Sequence, residues 1–141
     1  MAGPAALPGP TDPRQLMAQL DAVQRELSRA ERRLASLEQA MLEAQQALGT
    51  VRHLADATGA QTVLVPIGGG LHVHARVDAA QDVLMPIGAG YSTTGKPAEV
   101  AKALEERAAS IAKAYDEAAA RADELANAAA ALNEQLGDSS P

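Results

Sequence analysis

Apolar residues recur at alternating intervals of four and three along two long stretches of the chain. In the first stretch, apolar residues or alanines occupy positions 16, 20, 23, 27, 30, 34, 37, 41, 44, 48, 51 and 55, and in the second they occupy 104, 108, 111, 115, 118, 122, 125, 129, 132 and 136. An average spacing of about 3.5 residues is that of a coiled-coil seam. The pattern therefore predicts two long helices joined by a central segment.

Signals for helix ends flank both stretches. Asp12 is suited to cap the first helix, with Pro13 at its first position and Gln15 in place for a capping box. The first helix is expected to stop at Gly59, and the second to run from Pro97 to Gly137. The predicted organisation is a Pro/Ala-rich tail over 1–11, helices over 12–59 and 97–137, a central assembly region over 60–96, and a short tail over 138–141.

The central region contains a duplication, in which "VLVPIGGGL" from Val63 is repeated as "VLMPIGAGY" from Val83. Apolar and polar residues alternate on either side of the glycines, which is typical of β-strands, and "GGG" and "GAG" are suited to three-residue hairpin loops. Two such hairpins do not form an independently stable sheet. Because apolar residues fall on both faces, we expect the strands to join a sheet or barrel shared between subunits. The candidate assembly residues are Val63, Leu64, Val65, Ile67, Leu71, Val73, Val83, Leu84, Met85, Ile87 and Tyr91.

The two helices are predicted to pair within one chain as an antiparallel coiled coil. A continuous helix is excluded, because the central prolines and glycines cost about 3 and 1 kcal/mol each inside a helix. Matching large side chains against small ones across the seam, as a void-free core requires, predicts three representative pairs. These are Val51 with Leu104, Ala30 with Leu125, and Leu20 with Leu136. The fold class expected is mainly α, a long intramolecular antiparallel coiled coil with two central β-hairpins that join an intersubunit β-barrel.

Composition and charge argue against several classes of protein. The chain has no Cys, Phe or Trp, and its net charge of −6 includes no basic stripe of the kind that nucleic acid requires. The N-terminus lacks a secretory signal, and no apolar stretch approaches the roughly 20 residues of a membrane span. We therefore expect a cytoplasmic protein with no nucleic-acid partner and no membrane partner.

No motif indicates catalysis or a cofactor. Both glycine segments are followed by strand residues, whereas a phosphate loop leads directly into a helix N-terminus. His72 and His74 share a strand face, but no carboxylate or thiol is spaced to complete a metal site with them. We therefore expect no enzyme activity, no cofactor, no metal and no catalytic residue.

The segment "VLVPIGGGLHVHARVDAAQDVLMPIGAGYS" between two long helices resembles the hairpin signature of the α-class prefoldin subunits, as found in archaea. This resemblance covers residues 12–137. It implies a subunit of an ATP-independent hexameric chaperone, in which a second α subunit and four β subunits complete an α2β4 assembly. It also implies capture of unfolded client proteins at the coiled-coil tips and their transfer to a group II chaperonin.

The outer end of the predicted coil is the candidate client-binding tip. A seam that ends in solvent frays, and its last layers then expose apolar surface to a client. The residues concerned are Leu16, Met17, Leu20, Leu132 and Leu136. Two alternatives stay open from the residues alone: these leucines only close the coil, or the protein is a structural coiled-coil scaffold or tether without chaperone activity. An enzyme or nucleotide-binding protein is the third class.

Overall fold

A computed structural model describes residues 12–139 as two long helices with two β-hairpins between them, which confirms the predicted mainly α fold. The elements in chain order are α1 (Pro13–Asp56), β1 (Ala60–Gly68), β2 (Leu71–Asp78), β3 (Val83–Gly88), β4 (Tyr91–Gly95) and α2 (Pro97–Asp138). They fall into two compact units, residues 12–38 with 113–139, and residues 39–112. The predicted tail over 1–11 and the last two residues of the chain lie outside the described residues. Within residues 12–139, neither helix has an apolar stretch of the length that a membrane span needs.

The helix ends follow from local hydrogen bonding. The Asp12 carboxylate accepts a hydrogen bond from the backbone N–H of Arg14 at 3.0 Å, so a group that the helix leaves unpaired is satisfied. At the start of α2, the Glu99 carboxylate accepts from the backbone N–H of Lys96 at 3.3 Å, one half of a capping box. Helix α1 ends at Asp56, three residues before the predicted stop, and Gly59 takes the left-handed conformation in the link to β1.

In the unit of residues 12–38 and 113–139, every predicted seam position is buried or half-buried. The most exposed face of each helix carries charged residues, and Arg121 joins Glu26 across the pair at 3.1 Å. Both side chains are more than half exposed, so this ion pair contributes well under about 1 kcal/mol. The apolar seam therefore holds this helical pair together.

In the unit of residues 39–112, the seam ends in a small core. Leu48, Val51, Val100, Ala101 and Leu104 form one buried cluster. The last predicted seam residue of α1, at position 55, is exposed, and residue 54 is half-buried instead.

The predicted register of the helical pair stays a prediction, and one ion pair favours a shift of it. The predicted register would place Glu26 level with residue 129, eight residues from Arg121, an offset of about 12 Å along the axis at 1.5 Å per residue. The observed 3.1 Å contact is easier to make across a smaller offset. Placing Ala30 opposite Ala122 reduces the offset to five residues.

The unit of residues 39–112 has contacts that fit both the predicted and the shifted register. The shift places Leu48 opposite Leu104 and Val51 opposite Ala101, all members of one buried cluster. Arg52 and Glu105, which are 2.7 Å apart, differ by five residues from the level position after the shift but by only two in the predicted register. The shift is favoured by helix geometry, because reversing the direction of one helix exchanges its three- and four-residue steps. Unlike heptad positions therefore face each other, whereas the volume argument had paired like positions.

The shifted register would set Ala30 opposite Ala122, a layer of small residues in the unit of residues 12–38 and 113–139. It would also set Leu20 opposite Leu132 and Leu16 opposite Leu136. An open groove of about 370 Å³ in this unit is lined by Ala30, Ala118 and Leu125, among other residues. Volume matching therefore does not decide the register.

Each hairpin is its own two-stranded antiparallel sheet, β1 with β2 and β3 with β4. The repeated sequence gives repeated geometry, because the register shifts between Pro66 and Gly68 in the first hairpin and between Pro86 and Gly88 in the second. The connecting loops have two residues, not the predicted three, since the first glycine of each segment belongs to its strand. The loop residues have φ of 58° and 77° in the first hairpin, and of 50° and 78° in the second. Positive φ at both positions is typical of the type I′ turn that two-residue hairpin loops favour.

Three chain segments are tied together where the helices meet the hairpins. The backbone N–H of Ala79 donates to the carbonyl oxygen of Gly59 at 3.0 Å, and the Ala79 side chain is buried. Lys96 reaches Asp82 at 2.9 Å and the carbonyl oxygen of Ala80 at 3.4 Å. The hydrogen bond that Lys96 donates to the Asp82 carboxylate, and the negative charge of that carboxylate, raise the pKa of Lys96 above its ordinary value. The contact therefore favours the folded chain around neutral pH and is lost as the pH rises through the raised pKa of Lys96.

The predicted and the shifted register differ in which cysteine pairs they expect to cross-link, and one double variant tests the shifted register. The double variant Ala30→Cys/Ala122→Cys is expected to form a disulfide within one chain under mild oxidation, because bridging requires Cα atoms within about 7 Å and two facing alanines allow close approach. Ala30→Cys/Leu125→Cys is the matched control, displaced by three residues. Non-reducing electrophoresis measures both, and faster intrachain bridging in the control would support the volume-based register.

The repeated turns predict opposite effects of two reciprocal substitutions. Ala89 has φ of +50°, a conformation that costs a non-glycine residue about 1–2 kcal/mol, whereas Gly69 takes the equivalent position without that cost. Ala89→Gly is expected to slow amide hydrogen exchange in β3 and β4, and Gly69→Ala to speed it in β1 and β2, each by about tenfold. Equal exchange rates in the variants and the original chain would mean that the turns do not limit hairpin opening.

Candidate functional site

The first hairpin has an exposed apolar face. Cross-strand pairing sets Val65 opposite Val73 and Val63 opposite Ala75. Exposure rises toward the loop, where Ile67 and Leu71 are largely exposed, while Val63 is half-buried. Four large apolar side chains on a surface of this size favour contact with another chain.

The opposite face of the first hairpin is mixed. Leu64, 60% exposed, pairs with His74, and Pro66 pairs with His72. Exposed apolar residues therefore lie on both faces, and none of these positions belongs to the buried core of the described residues.

The second hairpin is anchored on one face and free on the other. Val83 and Met85 pack against the helix cluster around Leu104. Leu84 lies on the opposite face and is 67% exposed. Ile87 and Tyr91 flank the loop and are also exposed. The side chains available to a partner are therefore Leu84, Ile87 and Tyr91.

A groove of about 370 Å³ lies beneath the second hairpin. Ala44 and Ala47 of α1 line one wall, and Met85 and Ile111 are among the other lining residues. Arg107 donates a hydrogen bond to the carbonyl oxygen of Pro86 at 3.2 Å, so α2 holds the hairpin near its loop. The sequence pattern did not identify Arg107, because a charged residue beside a seam usually faces solvent.

The predicted tip residues differ in exposure. Leu16 is among the most buried side chains of the described residues at 3% exposure, whereas its neighbour Met17 is 62% exposed. Leu20, Leu132 and Leu136 are half-buried. The seam is therefore closed at this end in the structure, and Met17 presents the free apolar surface.

Residues 12–139 were searched for metal-binding groups and for buried polar side chains. No group of three or more His, Cys, Asp or Glu side chains there is arranged to hold a metal ion, and no buried polar side chain is present.

Side-chain exposure did reveal one residue that the seam pattern missed, since Leu42 lies off the seam and is 50% exposed.

Comparison with known proteins matches this arrangement to one family. The family described as "Prefoldin subunit" matches residues 23–138, which include both hairpins and most of both helices. The chain belongs to the prefoldin family. Prefoldins are non-enzymatic chaperones whose subunits assemble with one another.

The chain was also compared with curated proteins and with solved structures. A search of curated proteins found no match. Among solved structures, the filamentous PFD from Methanocaldococcus jannaschii, studied by cryo-EM, is similar at 24% identity and a TM-score of 0.43. The similarity covers 89% of this chain and 92% of that one.

The exposed leucines of the hairpins predict a separation of folding from assembly. Leu64→Asp and Leu84→Asp are each expected to leave the helical circular-dichroism signal unchanged, because neither side chain packs in the core. Each is expected to abolish the higher oligomer, since a buried unpaired carboxylate at a subunit contact costs several kcal/mol.

Two conservative substitutions serve as controls. Leu64→Met and Leu84→Met keep an apolar side chain of similar size at the same positions and introduce no carboxylate. Sedimentation velocity should show the complex intact in these controls. If Leu64→Asp and Leu84→Asp sediment like the original complex, the two leucines do not contact another subunit.

Proposed function

We propose that this prefoldin-family chain is an α-class subunit, which uses both hairpins to assemble a hexameric, ATP-independent chaperone. The observation that carries the proposal is the open apolar face of the first hairpin, beside a second hairpin whose equivalent face is already packed. A subunit with a single anchored hairpin would not need this additional surface. The first hairpin therefore supplies contacts beyond those of the second.

The partners that suit these surfaces are other prefoldin subunits. A second copy of the α subunit and four β subunits would cover the hairpins in an α2β4 platform. The exposed residues Val65, Ile67, Leu71 and Val73 would then become interior to a shared β-barrel. At about 25 cal/mol per Å² of apolar surface, covering such side chains contributes about 1.5–3 kcal/mol each before the costs of association.

The assembly is tested by co-expression with a β-class subunit from the same genome. Mass measurement of the intact complex is expected to give two copies of this chain and four of the partner. A complex with four copies of this chain and two of the partner would assign it to the β class instead.

Client capture is proposed at the end of the helical pair that contains Leu16 and Leu136. Met17 offers apolar surface there without any rearrangement, and opening the half-buried layers of Leu20, Leu132 and Leu136 would add more. Contacts at a single tip are weak, but several tips that bind one client raise the affinity through effective concentration. Transfer to a group II chaperonin in the cytoplasm would follow, with no bound nucleotide required.

A scaffold or tether without chaperone activity is the second candidate function. The burial of Leu16 favours it, since a seam that stays closed to its end offers a client none of its own leucines. Suppression of aggregation of a denatured protein separates the two functions, because a scaffold gives no protection at any stoichiometry.

The tip assignment predicts a position-specific loss of activity. Met17→Ser is expected to weaken protection of an aggregating client severalfold while leaving the assembled complex intact. The combined replacement of Leu16, Leu20, Leu132 and Leu136 by Ser should weaken it further, because each client then loses contacts at several tips at once.

Leu42→Ser is the matched control for Met17→Ser, since Leu42 is similarly exposed but lies in the unit of residues 39–112. Light scattering of a denatured client measures all variants at equal complex concentration. If Met17→Ser and Leu42→Ser protect equally well, the client-binding surface lies elsewhere.

A further inference from the structure

We propose that His72 and His74 chelate a divalent transition-metal ion, of the class of Zn²⁺ or Ni²⁺, on one face of the first hairpin. The two histidines are separated by one residue in β2 and therefore project from the same face. Their Cα atoms are about 6.6–6.8 Å apart at the usual strand rise, so two imidazoles can converge on one ion with bonds of about 2.0–2.1 Å. Both side chains are exposed. This inference does not depend on the proposed chaperone function.

The His72 ring is already held in an orientation that suits a metal ligand. Its Nδ1 lies 3.1 Å from the carbonyl oxygen of Gly70. Because a carbonyl oxygen only accepts, this contact selects the tautomer with a proton on Nδ1 and leaves the lone pair on Nε2. Metal-binding histidines commonly have their second nitrogen fixed in this way by a backbone carbonyl.

The hairpin turn fixes the carbonyl that orients this ring. Gly70 has φ of +77° as the second residue of the two-residue loop, and Leu71 begins β2 directly after it. The ring of His72 is therefore positioned by the turn itself, with little conformational freedom to lose when an ion binds.

The surroundings of the two rings leave them accessible in the single chain, and a subunit that contacts Leu64 would cover the same face. Their cross-strand partners, Pro66 and Leu64, carry no side-chain group that would compete for the imidazole nitrogens. Arg76 follows on the same strand face and opposes cation binding through its charge. Within the described residues no third ligand completes the set. Two imidazoles do not make a closed zinc site, and for this reason the sequence predicts none. An open site with water at the remaining positions needs only the pair.

Binding is tested on the full-length chain without an affinity tag. Isothermal titration with Zn²⁺ and separately with Ni²⁺ is expected to give one ion per chain, because imidazole suits both metals. His72→Gln and His74→Gln are each expected to weaken binding by at least about tenfold, since loss of even an outer-shell partner costs 10–100-fold in protein metal sites. Arg76→Gln is expected to strengthen it severalfold by removing a nearby positive charge.

His53→Gln is the control, because His53 is an exposed histidine in the last turn of α1 and lies outside the pair. It is expected to leave the titration unchanged. Circular dichroism checks that each variant keeps its helical content. Equal binding by the original chain and the His72→Gln/His74→Gln variant would overturn the proposal, as would an equal loss in His53→Gln.

Discussion

The packing of Val83 and Met85 against the helix cluster is the contact on which the arrangement of residues 39–112 depends. A two-stranded sheet has almost no stability of its own, so β3 and β4 need this anchor to persist. Anchoring one face fixes the other by strand alternation, and Leu84 is left projecting outward. The bond from Arg107 to the Pro86 carbonyl fixes the hairpin near its loop. The outward face of the second hairpin is thus a consequence of its inward packing.

The two hairpins have the same backbone geometry but different surroundings. Their loops share φ values and the position of the register shift, which reflects the repeated Pro-Ile-Gly sequence. Their second strands differ, because β2 carries Leu71 and Val73 where β4 carries Tyr91 and Thr93. The first hairpin therefore has the wider apolar face, because β2 carries Val73 at the position where β4 carries the polar residue Thr93. In a family whose subunits assemble, a duplicated hairpin with its apolar face open is best explained by a second contact.

Sequence periodicity predicted the seam positions, which depend on local spacing. It did not predict the features that depend on the surface of the opposite helix. The seam positions could be predicted because a 3.5-residue repeat is the property that buries them. The register could not, since alanines at 30, 118 and 122 allow several pairings, and the Glu26–Arg121 and Arg52–Glu105 contacts favour different ones. Leu16 was expected to fray because it ends a pattern, yet its burial is set by three-dimensional surroundings that no pattern records. The loop length differed because the first glycine of each segment joins its strand.

The chemistry of the seam in residues 12–38 and 113–139 bears on how it could open. Alanine occupies positions 118, 122 and 129 of α2, and an alanine buries far less apolar surface than a leucine. The ion pair across this seam is exposed and adds little. Cohesion therefore comes from a limited set of leucine contacts, with an open groove beside Ala30 where small residues meet. Such a seam separates at lower cost than one filled with leucine, so closure at Leu16 and reversible exposure of the neighbouring layers are compatible properties of one helical pair.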